Sequence, residues 1–403
     1  MSSSQPRLLW SSSFILLALG NLLMATGFYF LIPTLPVYVV DVLHAKTSDV
    51  GYILAAYTVS ALIIRPFTGI GLDTWGRKWI YIISLLIFTL TILLYPLILT
   101  FGLLLAVRFF HGFSWGSTTT AGMTVVVDVI PPQKRGRGIG YFGISFTLAM
   151  AIAPVLALFI MERWGYFEMF YIAALFSFCG FLLVLFVRYP VIQAPPEKSK
   201  LSWSKFIEPK GIPISVPMAL FGISYGGVVS FITLYDKELG LAEAGSFFLV
   251  LAGGVTFSRL FSGQIFDKYG PNYLMTGGFL ANIAGLIFLA LMQNLTGFLI
   301  AAGMIGVGVG IMMPTLQTMA NNVVSVRRRG AANATLITAF DLGIGIFHKA
   351  RQRCRIGIPI SPTTVFQQRN LKRGRCCGDA GNQDDNKKKC SLHGEWRSVA
   401  KIV

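Results

Sequence analysis

Three side chains able to exchange a proton or hold a charge stand in otherwise apolar surroundings. Arg108 and His111 share the run Arg108-Phe-Phe-His111-Gly112, and Asp341 lies in Thr338-Ala-Phe-Asp341-Leu-Gly343-Ile-Gly345. A guanidinium inside a membrane helix costs about 2.5–3.5 kcal/mol even on the most lenient scale. Arg108 therefore calls for a partner or a wet cavity, unless it lies close enough to a helix end to reach the interface. Asp341 is the one carboxylate deep in a predicted helix, which makes it a candidate proton carrier. The His111 imidazole suits proton exchange, although a single histidine on an apolar helix is more often hydrogen-bonded packing. A second group is the loop Gly69-Ile-Gly-Leu-Asp73-Thr-Trp-Gly76-Arg77-Lys78. Its glycines permit a tight turn and close helix approach, and Asp73 can accept hydrogen bonds from the positive amino end of a helix in another part of the chain. Alternatively, the loop serves only to keep Arg77 and Lys78 on one side of a membrane.

The elements that must position these residues follow from composition. The chain of 403 residues is 54% hydrophobic and 13% charged, which excludes a soluble fold whose surface must carry charge. A bilayer needs about 20 apolar residues per helical crossing. Such stretches recur at residues 14–40, 50–64, 79–107, 109–127, 138–161, 169–187, 211–235, 244–258 and 269–326, none of which contains Asp, Glu, Lys or Arg. Turns near residues 96–102 and 293–296 divide the two longest stretches and give ten full crossings before residue 327. The first stretch is too long for the core of a signal peptide and reads as a span.

Fifteen basic residues (Arg7, Arg77, Lys78, Lys134, Arg135, Arg137, Arg188, Lys198, Lys200, Lys205, Lys210, Lys268, Arg327, Arg328 and Arg329) fall in alternate loops, against Lys46, Arg163 and Lys237 in the others. The positive-inside rule then predicts a cytoplasmic amino terminus. The chain also repeats itself. At an offset of 194, Arg65 pairs with Arg259, Gly69 with Gly263, Asp73 with Asp267, Gly76 with Gly270, Gly112 with Gly306, Arg135 with Arg329 and Gly136 with Gly330. Both copies start on the same side, so the duplication is parallel. The expected organisation is a six-helix bundle over residues 1–190, a cytoplasmic linker over 191–211, a second bundle over 212–347 and an aberrant basic tail over 348–403.

The loop from Gly69 to Lys78 resembles the GxxxDxxGRK signature of the major facilitator superfamily, with a weaker echo at residues 263–270. Arg108-Phe-Phe-His111-Gly112, Asp128-Val-Ile-Pro131-Pro132-Gln-Lys-Arg135-Gly136-Arg137 and Pro33-Thr-Leu-Pro36-Val-Tyr38 are similar to its bacterial drug:proton antiporter branch. The resemblance covers residues 14–346. It implies an all-α polytopic membrane protein with the major facilitator fold, two parallel six-helix repeats and a central cavity opening alternately to each side. It further implies that Arg77 and Asp128 join the loop in a conformational latch, and that Arg108 is tied to proton coupling or substrate charge. Two departures matter. The first span has no acidic residue before Asp41, where many drug antiporters use one, and the antiporter glycines of the fifth helix are replaced in Ala149-Met-Ala-Ile-Ala153-Pro154-Val-Leu-Ala157, so that stretch favours export only modestly.

Asn21, Tyr29, Tyr57, Tyr225 and Gln317 are the candidate cavity residues; their mixture suits an amphipathic organic solute better than a bare ion. Gly112-Phe-Ser114-Trp-Gly116 spells a hydrolase motif but lies within a membrane helix, where it is a packing face. No Walker loop is present. No enzyme activity, cofactor, metal site or nucleic-acid partner is expected; protons, a small-molecule substrate and the lipid bilayer are, for a monomer in a plasma membrane, the inner membrane of a bacterium.

The repeat runs to Ile346, and then the sequence turns polar at His348-Lys-Ala-Arg351-Gln-Arg353-Cys354-Arg355. From this a half-made eleventh helix, no twelfth helix and a frameshifted tail are expected. Cys376, Cys377, Cys390 and His393 have poor spacing for zinc. Two function classes stay open: a proton-driven exporter of a small organic compound (drug, sugar or metal-chelating metabolite), with symport uptake as its near variant, and a transport-inactive product.

Overall fold

The computed structural model describes residues 9–45, 49–190, 206–241, 244–292 and 294–354. The chain divides into two compact units, Met1–Ala350 and Arg351–Val403, and every described helix begins in the first. Cys376, Cys377, Cys390 and His393, the residues weighed against zinc binding, and nearly all of the polar tail lie outside the described residues.

Eleven α-helices follow one another: α1 (Ser12–Asp41), α2 (Val50–Thr74), α3 (Arg77–Leu93), α4 (Phe101–Val129), α5 (Arg135–Trp164), α6 (Tyr166–Leu185), α7 (Ile212–Leu239), α8 (Ala244–Tyr269), α9 (Pro271–Leu291), α10 (Leu295–Asn322) and α11 (Arg329–Cys354). Among the described residues nine are long and apolar enough to cross a membrane; α4 and α11 are the exceptions. In α4 the reason is Arg108, His111 and the hydroxyls of residues 114–124, which dilute its apolar content. Several of those hydroxyls are satisfied within the helix, as in Thr119 to the Trp115 carbonyl (2.8 Å) and Thr124 to the Thr120 carbonyl (2.8 Å), whereas Ser117 pairs with Thr68 of α2 and Thr118 Oγ1 has no partner among the described residues. The eleventh helix does not stop at Ile346. It runs on to Cys354, so the first polar residues of the tail continue a helix instead of ending one.

The duplication is visible in the helix starts. α2 and α8, α3 and α9, α4 and α10, and α5 and α11 each begin 194 residues apart. Their caps repeat too. Thr100 and Asn294 accept from the amides of Leu103 and Gly297, satisfying donors that a helix start leaves open. Gly76 and Gly270, at φ 96° and 81°, make the turns of two residues and one residue into α3 and α9, a left-handed conformation that costs glycine nothing.

Each half has its own core, around Phe30, Phe88, Tyr95 and Phe170 in the first and Phe221, Phe247, Phe298 and Phe340 in the second. Bare apolar side chains such as Leu97, Val155, Leu249 and Leu280 cover the outside, as a lipid-facing surface requires. In lipid the helices gain little from hiding apolar area from one another, so close backbone packing holds them. A Cβ at Gly116 would stand 2.7 Å from the Ala61 carbonyl oxygen, and one at Gly254 2.7 Å from that of Gly303.

Candidate functional site

The two halves meet along two seams related by the repeat, α2 with α11 and α5 with α8. At one end of the bundle both seams are sealed by a carboxylate at the end of one helix accepting from the first amides of another. Asp73 accepts from Gly330 N and Ala331 N, both at 2.9 Å. Asp267, 194 residues on, accepts from Gly136 N (2.9 Å) and Arg137 N (3.2 Å). Two free amides and the positive end of the helix dipole make each a good anion cradle. Glycine is required for the approach: a Cβ on Gly69 would lie 2.8 Å from the Ala334 Cβ and 2.9 Å from the Gly330 carbonyl oxygen. Gly69→Val is therefore expected to push α2 off α11, at a cost of about 1–3 kcal/mol. A cysteine placed at buried Ala331 should then react several-fold faster with a membrane-impermeant maleimide than in the parent.

The α2/α11 seam carries more charge than its counterpart. Asp128, at the end of α4 and 1% exposed, takes Arg77 Nε on one oxygen at 2.9 Å and Arg329 Nη1 on the other at 2.5 Å. Arg77 also lies 3.3 Å from Asp73 and donates to the carbonyls of Leu72 and Val326. In the α5/α8 seam the position equivalent to Asp128 is Asn322, which accepts from Arg135 at 2.7 Å. There the ion-pair partner of Asp267 among the described residues is Arg137 at 3.6 Å, a side chain 42% exposed. Lys78 takes no part: it is exposed, and its ammonium lies 5.2 Å from the Trp79 ring centroid.

Between the seams lies a cavity of about 230 Å³. Aromatic side chains wall it, among them Tyr29, Trp115, Phe146 and Tyr225, and Gln317 also faces it. Two arginines and one aspartate line it as well. Arg65 of α2 donates through Nε to Asp341 of α11 at 2.9 Å and through Nη1 to the hydroxyls of Thr119 (2.9 Å) and Thr120 (3.2 Å). Its side chain is 4% exposed and that of Asp341 19%. Asp341 is thus not a lone carboxylate, as the sequence suggested, but half of an ion pair joining the two halves. Arg259 of α8 occupies the repeat-equivalent place and donates to the Gly143 carbonyl and, at 2.6 Å, to the Thr147 hydroxyl of α5.

Arg108 does not line this cavity. It is 2% exposed, lies 5.6 and 5.7 Å from the ring centroids of Tyr57 and Tyr95, and has no ion-pair partner among the described residues. Ring faces supply the negative potential. His111 shares this pocket, its Nδ1 2.9 Å from the Tyr95 hydroxyl and its ring packed near Phe28, Tyr57 and Phe88. Tyr57 stacks behind the cavity wall, and Asn21 is buried, donating to Ser145 at 2.6 Å. Of the five cavity candidates, then, Tyr29, Tyr225 and Gln317 line it, whereas Asn21 and Tyr57 do not.

Sequence reasoning did not single out Arg65, Arg259 or Thr147 as site residues. A signal existed, since the two arginines match at the repeat offset. However, they directly follow the uncharged stretches 50–64 and 244–258 and so seemed to lie beyond the helices, which in fact continue to Thr74 and Tyr269.

Two bundles of matched register are thus sealed by paired carboxylate caps around a central cavity. The Major Facilitator Superfamily profile matches residues 17–348. The chain belongs to the Major Facilitator Superfamily. As a member it is a multi-span membrane transporter, with five described helices in the second repeat against six in the first. Curated superfamily relatives include the quinolone resistance protein NorA of Staphylococcus aureus, 24% identical over 328 residues, covering 78% of this chain and 83% of the relative. Multidrug resistance protein 1 of Bacillus subtilis is 24% identical over 319 residues, covering 76% and 80%. Among solved superfamily structures, the human organic anion transporter MFSD10 (TETRAN) superposes with a TM-score of 0.73 at 15% identity, over 83% of this chain and 91% of that one. The transporter FucP gives 0.70 at 15%, over 84% and 92%; likeness at this level speaks for the fold alone.

Proposed function

We propose that this protein is a proton-coupled secondary transporter that exports a small amphipathic organic compound through the central cavity by alternating access. It works as a monomer in the plasma membrane, with its amino terminus and both carboxylate seals on the cytoplasmic side. The observation that carries this reading is the Arg65–Asp341 ion pair. It sits on the cavity wall, it joins the two halves that alternating access must part, and its carboxylate is the group in the cavity able to take up a proton. Asp73, Arg77 and Asp128, with Gly69 and Gly76 shaping the turn, latch the cytoplasmic end; Arg108 and His111 support the wall from behind. The bacterial relatives take their names from resistance to quinolones and to multiple drugs, which favours export.

One observation favours a second reading, uptake by proton symport. The cavity holds two arginines and one aspartate, so a proton on Asp341 leaves it more positive and more attractive to an anion. Inside-out vesicles energised by respiration separate the two. A quinolone, ethidium and 1-naphthoate are added in turn while a dye reports the acidity of the lumen. Export by exchange drains lumenal protons on addition of substrate; symport acidifies the lumen further. If no compound moves protons and none accumulates, the transport reading fails.

A further inference from the structure

The cavity has one more cation than it has anions. Its charged side chains among the described residues are Arg65, Arg259 and Asp341, and Asp341 is held by Arg65 at 2.9 Å. Arg259 is 6% exposed, and its described hydrogen bonds to oxygen go to a backbone carbonyl and the Thr147 hydroxyl, neither of which carries charge. Its Nε, itself buried, has no partner among the described residues. The repeat makes the omission explicit. Arg65 and Arg259 are 194 positions apart, and so are Thr147 and Asp341. At the place where one half supplies a carboxylate, the other supplies a hydroxyl.

A guanidinium buried against neutral acceptors alone has lost its water without recovering an opposite charge. An arriving anion restores that balance, and a carboxylate matches the planar fork of donors. The rest of the cavity is mostly apolar and aromatic, with Thr119, Gln317 and the two tyrosines adding neutral polar groups. We infer that the compound carried is an aromatic or otherwise apolar monocarboxylate, its carboxylate held by Arg259 and Thr147 and its body against Trp115, Phe146 and Phe340. One unpaired cation matches one negative charge. A cationic compound would add a second positive charge to the same low-dielectric space and be opposed. The inference rests on this cavity being the transport site and not on the direction of transport.

Equilibrium binding to the full-length protein in lipid nanodiscs, without any proton gradient, tests it with three probes of one shape: 1-naphthoate, 1-naphthylmethanol and 1-naphthylmethylamine. Naphthoate is expected to bind at least about tenfold more tightly than either of the others, the scale of one charge-assisted contact. Arg259→Gln should abolish that preference, and Arg259→Lys should keep part of it. Equal binding of all three probes, tighter binding of the amine, no binding of naphthoate to the correctly folded parent, or a preference surviving in Arg259→Gln would each overturn the proposal. Charge-selective binding without vesicle flux would instead sink the transport reading and leave only the carboxylate-binding site at Arg259 standing.

Discussion

Asp128→Ala is expected to lower stability by about 3–5 kcal/mol, because it strands the buried Arg329 guanidinium and removes one of the two carboxylates beside Arg77. Arg77 and Arg329 each give one charge-assisted bond to separate oxygens of this carboxylate, which has almost no contact with water. In a thermal unfolding assay in detergent the loss should lower the apparent midpoint by roughly 10 °C. Asp128→Asn keeps one acceptor and should cost less. The double change Asp128→Ala with Arg329→Ala should recover part of the loss, since one stranded charge goes with its partner. If Asp128→Ala melts within a degree or two of the parent, the network does not hold this end of the bundle together. Asp41→Ala, which removes an exposed acceptor for the Tyr166 hydroxyl at the start of α6, is the control and should change little.

Asp341→Asn is expected to eliminate substrate-driven proton flux in inside-out vesicles while the protein still binds its substrate. The amide preserves the shape of the carboxyl and can still accept from Arg65, but it cannot take up a proton. Its structural cost should be smaller than that of Asp128→Ala, about 1–3 kcal/mol, because the side chain is partly exposed to the cavity. Arg65 also keeps its bonds to Thr119, Thr120 and the Gly116 carbonyl. For an anionic substrate the neutral amide resembles a permanently protonated Asp341, so affinity for 1-naphthoate should be retained or rise. Proton flux persisting in this variant would move the coupling to another group.

The fold was legible because its determinants are local and repeated. Apolar runs without charge marked the spans, the turns near Pro96 and Gln293 divided the two double-length stretches, and the 194-residue offset recovered the register in which four helix pairs begin. The loop glycines around Asp73 were readable for the same reason, since a tight turn and a close backbone approach leave few residue choices. What sequence alone hid was pairing across the interface. Nothing within a single helix indicates that Arg65 reaches a carboxylate 276 positions away, and rules that assign charged residues to helix ends set both arginines outside the spans. Arg108 misled in the opposite sense. A buried cation was expected to mark the cavity, but Arg108 lies behind its wall, near the faces of two tyrosines. Asp341 was correctly isolated along its own helix; its partner comes from another.

The duplicated architecture is not balanced. On the α2/α11 side, three contacts between the halves rely on formal charge: Asp73 with the first amides of α11, Asp128 with Arg329, and Arg65 with Asp341. On the α5/α8 side the last two are matched by neutral acceptors, Asn322 and Thr147. Such a gate would not part like two equal doors. Under the alternating access proposed above it would peel, from the weakly fastened edge toward the ionic one, where a proton on Asp341 would weaken its hold on Arg65.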